Sequence, residues 1–315
     1  MINGFFNIKK EAGFTPHDVV AVVRRIAHQK KVGHTGTLDP AATGVLPICL
    51  GKATRAAQYV SDAGKEYRAV LLLGRTTDTQ DTTGEIRTEC EPQELSALTE
   101  DAVRKTIQTF VGEQEQIPPM YSAKKVEGKK LYELARAGKE IERKPCRIRI
   151  DEIVVEEVLL PRVTFRVSCS SGTYIRTLCH DIGTKLGVGG CMESLIRTRA
   201  GNFKLEDAIT LKELEELAKG ECLLQALLPI DGFFAGDPAV AIGTETEKLL
   251  YNGCPVPVES AVSDTMNTTG RTAEKTTQEA LRYRLYDEKG RFIGLYRIDG
   301  EYYKPVRMFF DREEL

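Results

Sequence analysis

The sequence predicts an α+β fold in which a mainly antiparallel mixed sheet with helices is followed by a small C-terminal β-barrel. Three observations predict it. Residues 66–74, 148–158 and 163–168 have the β-branched content of paired strands. Between them, apolar residues recur at helical spacing near 16–26, 100–111 and 174–186. Beyond residue 238 the texture changes to short alternating runs at 281–287, 292–297 and 302–309, punctuated by Glu288-Lys289-Gly290 and Asp299-Gly300. At 315 residues the chain is long enough for a large domain, 1–232, and a small one, 237–315, with the boundary in the Gly- and Phe-containing punctuation near 231–238.

Each element has a local cause. Thr15-Pro16-His17-Asp18 offers an N-cap hydroxyl, a proline at the first helical position and an acid at the third, and so opens a helix. Val19, Val20, Val22, Val23 and Ile26 give that helix its apolar face and leave Arg24, Arg25, Lys30 and Lys31 on a basic side. The strand at 66–74 ends on a glycine, and the helix at 174–186 follows a Ser-Ser-Gly turn. Residues 118–149 alternate lysines and arginines with Tyr121, Leu131, Tyr132 and Leu134, a pattern expected of a surface helical hairpin that buries its apolar side only on contact. Residues 260–277 are Thr-rich and polar and read as a loose loop inside the small domain.

Composition narrows the class. Hydrophobic content of 41% with 29% charged residues is that of a soluble globular protein, no apolar run approaches the ~20 residues of a membrane span, and residues 1–13 lack a signal-peptide pattern. A cytoplasmic protein is expected. The eight cysteines contain no Cys-x-x-Cys pair, so neither a zinc site nor a disulfide framework is indicated. The net charge of −2 is unevenly spread: residues 1–75 carry +6 and residues 118–149 carry +6, leaving −14 for the remainder. Such segregation suits a basic cleft on an acidic body, and equally a set of solvated faces.

The most informative segment is Gly33-His34-Thr35-Gly36-Thr37-Leu38-Asp39-Pro40-Ala41-Ala42-Thr43-Gly44-Val45-Leu46-Pro47. Glycines that permit positive φ and prolines that interrupt helix or ladder make it irregular, stiff and closely approachable, with one carboxylate, Asp39, inside it. A solvated Asp-Pro turn fits the same residues. A phosphate-cradling P-loop does not, because no Gly-Lys-Ser/Thr follows.

This run resembles the signature of the TruB-type tRNA pseudouridine synthases, Gly-His-Thr-Gly-x-Leu-Asp-Pro-x-Ala-x-Gly-x-Leu-Pro. Further segments resemble the family in the same order: Gly64-Lys65-Glu66-Tyr67-Arg68-Ala69, Arg75-Thr76-Thr77-Asp78-Thr79-Gln80-Asp81, Pro118-Pro119-Met120-Tyr121-Ser122-Ala123-Lys124 and Ser171-Gly172-Thr173-Tyr174-Ile175-Arg176-Thr177-Leu178. The resemblance implies the pseudouridine synthase fold, a PUA-like C-terminal module, and isomerisation of uridine 55 in the T-loop of tRNA by base flipping, without cofactor or metal. It implies that Asp39 is the nucleophile, Arg176 its charge partner and Tyr67 the residue against the base and near its C5 proton. Attack at ribose C1′ and at C6 of the base both remain open. In the substrate pocket it places Tyr174, Leu195 and, stacked in the gap left by the flipped base, His34. It makes residues 118–149 a mobile thumb whose Lys124, Lys125, Lys129 and Lys130 grip RNA phosphates. The implied partners are the T-loop and T-stem of tRNA, with no membrane, no obligate protein partner and a monomeric state.

The sequence departs from the family pattern at Asn7-Ile8-Lys9-Lys10-Glu11-Ala12-Gly13 in place of Asp-Lys-Pro-x-Gly, at Ala41, and at Ile196, which replaces one arginine after Leu195. These changes are expected to touch RNA contacts more than chemistry. Two other classes stay open: a non-catalytic RNA-binding protein or tRNA chaperone, and a carboxylate hydrolase of nucleosides or glycosides. The hydrolase wants a second acid, and the sequence offers no carboxylate paired with Asp39.

Overall fold

The structure is a computed structural model that describes residues 1–122, 124–126, 128–139, 141–263 and 281–311. In chain order these form β1 (Gly4–Lys10), α1 (Pro16–Ile26), β2 (Val32–His34), β3 (Thr43–Leu50), α2 (Ala57–Asp62), β4 (Lys65–Leu73), β5 (Arg75–Thr77) and β6 (Ile86–Glu89). Next come α3 (Pro92–Ser96), α4 (Glu100–Gln108), β7 (Gly112–Gln116), β8 (Lys125–Val126), β9 (Lys129–Lys130), α5 (Leu131–Arg136), β10 (Cys146–Leu159), β11 (Arg162–Cys169), α6 (Ile175–Lys185), β12 (Gly190–Ala200) and β13 (Phe203–Lys204). The remainder holds α7 (Leu211–Lys219), α8 (Ile230–Phe233), β14 (Ala239–Ile242), α9 (Glu247–Tyr251), β15 (Val256–Pro257), β16 (Ala261–Ser263), β17 (Arg282–Asp287), β18 (Phe292–Asp299) and β19 (Tyr302–Met308).

Nine strands make one sheet in the order β1-β3-β12-β4-β11-β10-β7, with β2 beside β3 and β13 beside β12. Its pairs are antiparallel except β3 with β12. Val103 and Ile107 of α4 and Leu178 and Ile182 of α6 pack with Ala69, Leu71 and Phe165 of the sheet, while Val19 and Val23 of α1 and Leu214 of α7 pack with Phe6, Ile8, Leu46 and Ile48. Each such side chain removed from water contributes about 1.5–3 kcal/mol. The α1 cap is as the sequence predicts: Asp18 N–H donates to Thr15 Oγ1 and Thr15 N–H donates back to the Asp18 carboxylate.

The second sheet has the order β15-β19-β18-β17-β14-β16. Its two end strands are joined by only Val258–Ser260, one tight turn, so the sheet comes back on itself as a nearly closed barrel around Val240, Ile242, Leu285, Ile293 and Tyr296. The two sheets are welded rather than tethered. Leu295 and Phe309 share an apolar cluster with Phe5, Val45 and Phe234, and Arg55 meets Asp311 at 2.9 Å.

Three expectations change. The run Thr43-Gly44-Val45-Leu46-Pro47 is not wholly irregular: it is the start of the buried strand β3. Of its neighbours, β1 lacks a legible alternation because it too is buried on both faces, and β12 has its alternation interrupted by register shifts at Met192/Ser194 and Arg197/Arg199. Pro47 is accommodated in the strand because its carbonyl still accepts, from the N–H and hydroxyl of Thr35. Among the described residues, 118–149 form not a helical hairpin but a two-stranded β8–β9 turn followed by the short helix α5, since Gly128 and Gly138 take positive φ on either side of Leu131–Arg136. Of the Thr-rich stretch at 260–277, residues 261–263 form β16, and the expected loop at 264–277 lies outside the described residues.

Gly44 fixes how β3 lies on β12. Its φ is +104°, and a Cβ there would run into the backbone O and N of Arg197. Gly44→Ala should therefore destabilise the fold by about 2 kcal/mol or more and lower the thermal unfolding midpoint by several degrees. A melt by circular dichroism within a degree of wild type would mean that β3 can shift without loss.

Candidate active site

The loop between β2 and β3 has its shape fixed at several points. Ala42 N–H donates to Asp39 O at 3.1 Å, Gly13 N–H to Pro40 O at 2.9 Å, and the side chains of Leu38 and Ala42 are buried in the same apolar cluster as Tyr67 and Leu195. With its neighbours turned inward, Asp39 is left facing the cleft, 37% of its side chain open. Gly36, at φ +78°, gives room for what lies beneath: its missing Cβ would stand 3.6 Å from Arg197 Nη1.

Arg176 is the hub. Gln116 of β7 clamps the start of α6 by accepting from Tyr174 N–H at 2.8 Å and donating to Tyr174 O at 3.0 Å, which aims the next turn at the loop. The Arg176 side chain is buried, and its fork holds Asp39 twice, Nε to Oδ2 at 3.0 Å and Nη2 to Oδ1 at 3.3 Å. Nη2 also donates to Tyr121 O at 2.8 Å, and Nη1 donates to Thr79 O at 3.0 Å and lies 3.6 Å from Asp81 Oδ2. Four chain segments meet on one guanidinium. A planar, permanently charged group with five donors suits that task.

Burial nevertheless outweighs the arginine at Asp39. Loss of water, with Asp81 adding to it, raises the Asp39 carboxyl above its ordinary value, while Arg176 and then Lys10 pull it down. The expectation that Arg176 keeps Asp39 charged thus holds only as one side of a contest. Asp81 corrects another expectation, since the fold does bring a second carboxylate to Asp39 through the shared arginine. That carboxylate is not placed as a proton donor. Its Oδ1 accepts from Thr79 Oγ1 at 2.8 Å, Thr83 N at 3.0 Å and Thr83 Oγ1 at 2.5 Å, and Oδ2 faces the guanidinium.

Two buried cations brace the loop from below, and sequence reasoning missed both. Lys10 is fully buried and donates to the carbonyls of Glu11, Phe14 and Pro40 at 2.9, 2.7 and 3.0 Å. Burial lowers its pKa to about 8. Arg197, also fully buried, donates from Nε to Val45 O at 2.7 Å and from Nη1 and Nη2 to Thr37 O and Gly36 O at 3.4 Å. It pairs with Tyr67 on one side and Gly44 on the other, so a single cross-strand row links the Asp39 loop to the Tyr67 strand. The departure at residues 7–13 therefore lies under the loop rather than only on an RNA-facing surface. The signal was a lysine pair closing the mostly apolar strand Phe5-Phe6-Asn7-Ile8-Lys9-Lys10, and composition does not separate the buried lysine from the solvated one.

Asp39, Tyr67, Tyr174, Arg176 and Leu195 all line one cleft of about 830 Å³. Tyr67 is buried there, and burial raises its hydroxyl pKa while Arg197 lowers it. His34 is not part of the lining; it packs edge-on against His17, ring centroids 5.4 Å apart, with Nδ1 buried and unpartnered. Burial and His17 lower its pKa. Lys124 is half-buried against Cys146 Sγ and Lys129 is exposed, both outside the cleft lining, and the backbones of Lys125 and Lys130 pair in β8–β9. Behind that turn, Tyr132 and Arg136 of α5 reach into the cleft lining, the guanidinium 5.4 Å over the ring.

A model of the N-terminal domain of TruB family pseudouridylate synthases matches residues 24–175, and one of the tRNA pseudouridylate synthase B C-terminal domain matches residues 176–235. The chain belongs to the TruB family. A tRNA pseudouridine synthase B of Alkaliphilus oremlandii (strain OhILAs) is 44% identical over 317 residues, 99% of this chain and 100% of its own. That of Lachnoclostridium phytofermentans is 45% identical over 320 residues, covering 98% and 100%. Among solved structures, a Cbf5-Nop10-Gar1 complex contains a chain 28% identical, with a TM-score of 0.72 and coverage of 98% and 86%. This TruB-family protein is accordingly an enzyme, a pseudouridine synthase, and the family models meet between Ile175 and Arg176, at the start of the helix that carries the hub.

A lysine at 176 would carry the charge without the fork. Arg176→Lys should cut single-turnover pseudouridine formation at saturating RNA by at least about tenfold, because three donors on a flexible stem cannot replace the contacts to Asp39, Thr79, Tyr121 and Asp81. Wild-type rates would show that a point charge suffices.

Proposed function

We propose that this protein isomerises uridine 55 in the T-loop of tRNA to pseudouridine, with Asp39 as nucleophile. The observation that carries the reading is Asp39 held by both arms of a buried arginine at the wall of a cleft that Tyr67 also lines. The reaction breaks the N1–C1′ bond, forms a C5–C1′ bond, and exchanges a proton lost from C5 for one gained at N1. Bonds and electrons balance, so the chemistry asks for a nucleophile and a proton acceptor rather than a redox partner. Whether the carboxylate bonds to C1′ or to C6, it must be ionised and fixed, which the Arg176 fork supports. The base must leave its stack to reach Asp39, and a cleft of about 830 Å³ has room for a nucleotide. Tyr67 would lie against the base and help remove the C5 proton, its own hydroxyl proton moving on as it does, with Tyr174 and Leu195 completing the pocket. The relatives named tRNA pseudouridine synthase B support tRNA as the substrate, and that substrate implies the cytoplasm as the place of work.

In this reading residues 1–232 are the catalytic domain, 118–149 its thumb, and 237–315 a PUA-like RNA-binding module, working as a monomer. Lys124, Lys125, Lys129 and Lys130 grip phosphates of the RNA. His34 stacks in the gap left by the flipped base, from outside the cleft lining and after turning away from His17.

Asp39→Asn tests the assignment, since it removes a nucleophile but almost no contact area. It should abolish product while leaving tRNA binding within about tenfold of wild type. Pseudouridine mapped at position 55 after incubation with the Asn variant would overturn it. Replacing Lys124, Lys125, Lys129 and Lys130 by alanine should weaken tRNA binding and reduce the slope of log K against log salt by about 0.7–0.9 for each phosphate no longer neutralised, with the saturated rate kept. An unchanged slope in filter-binding titrations would remove these lysines from the interface.

A further inference from the structure

Two lysines are buried beside the cleft, and their surroundings differ in one respect. Lys10 spends all three N–H bonds on carbonyls and is a fastening. Lys65, at the start of β4, is 7% exposed, and its Nζ donates to Ser61 O at 2.7 Å and Ala63 O at 3.2 Å. Among the described residues it has no third acceptor and no carboxylate within ion-pair distance. Its side chain and Ser61 both line the cleft. The neighbour across the missing Cβ of Gly36 is another cation, since that Cβ would stand 3.4 Å from Lys65 Cε and 3.6 Å from Arg197 Nη1.

An ammonium withdrawn from water against carbonyls and a guanidinium is short of negative charge. Burial and Arg197 lower its pKa to about 8, so it remains largely charged at neutral pH. Because successive strand residues alternate, Lys65 and Tyr67 project from the same face of β4, about 7 Å apart along the strand. That spacing is of the order of the span from a base to its own sugar–phosphate. A uracil carbonyl would satisfy a donor without supplying charge, whereas a phosphodiester supplies both.

We propose that Lys65 anchors the flipped nucleotide, its remaining N–H taking a non-bridging oxygen of a phosphate that flanks the target uridine while the base lies against Tyr67. This rests on the reading of the cleft as a flipped-uridine pocket. Lys65 then secures the nucleotide beside the reacting atoms without taking part in bond exchange.

The test is a comparison of T-stem-loop RNAs, one all-phosphate and two carrying a neutral methylphosphonate at the 5′ or the 3′ phosphate of the target uridine, bound by wild type, Lys65→Met and Lys65→Arg. Lys65→Met should raise Kd for the all-phosphate RNA about tenfold, and less than about twofold for one of the methylphosphonate RNAs, with Lys65→Arg in between. At saturating RNA the single-turnover rate should stay within about threefold of wild type. Equal losses on all three RNAs would overturn the proposal, as would a fall in saturated rate at unchanged Kd, which would place Lys65 on the base. If the Met variant does not fold, wild type against Lys65→Arg on the same RNAs still decides, because only a direct phosphate contact makes their difference vanish when that phosphate is neutral. Conversion of the all-phosphate RNA by wild type tests the functional reading separately, since the Kd comparison needs no turnover.

Discussion

The arrangement depends on one ion pair, Asp39 with Arg176, placed where water is scarce but not absent. A carboxylate there would lose its charge to desolvation, and a buried guanidinium without partners would be costly. Together, with Thr79 O, Tyr121 O and Asp81 completing the donor set, each makes the other tolerable. The sheet order makes the meeting possible. β3 and β4 flank β12, so the loop before β3 and the Tyr67 strand stand at neighbouring positions, and α6 packs on β12 and β4 with its first turn toward that loop.

Around this pair the interior is rich in positive charge. Lys10, Arg197 and Lys65 are all buried, and all rest on backbone carbonyls rather than on carboxylates. Carbonyl partners satisfy donors without cancelling charge, so the loop is braced and the cleft stays electropositive. For an enzyme of net charge −2 acting on a polyanion, that local field matters more than the total. Of these cations Lys10, together with Arg176, opposes the desolvation that raises the Asp39 pKa.

Much of this is legible in the chain, and what is not has a common reason. The α1 cap, the β4, β10 and β11 strands, the α4 and α6 helices and the C-terminal strands follow from local pattern, and the Asp39 loop from its glycines and prolines. β1 and β3 are hidden because strands buried on both faces lose alternation, β12 because two register shifts interrupt it, and Pro47 argues against a strand that in fact uses its carbonyl. The basic and apolar alternation of residues 118–149 suggests helix, but Gly128 and Gly138 leave room for only a β-turn and six residues of helix among the described residues. Lys10 and Arg197 carry no mark that separates them from solvated cations, and Asp81, although it closes a segment that resembles the family, carries none for its place beside Arg176. Their roles arise from residues 39, 81, 10 and 197 meeting in space, and only Asp39 and Arg176, in segments that resemble a known family, are named by the sequence itself.

The central claim is that burial raises the Asp39 carboxyl and Arg176 holds it down. The most direct measurement is a pH titration of the Asp39 carboxyl carbon by nuclear magnetic resonance in wild type and in Arg176→Gln, with Asp39→Asn to assign the resonance. The account predicts a wild-type midpoint above the ordinary aspartate value of 3.8 and a higher one still in Arg176→Gln. A wild-type midpoint at or below that value, or a midpoint that does not move when the guanidinium is removed, would contradict it.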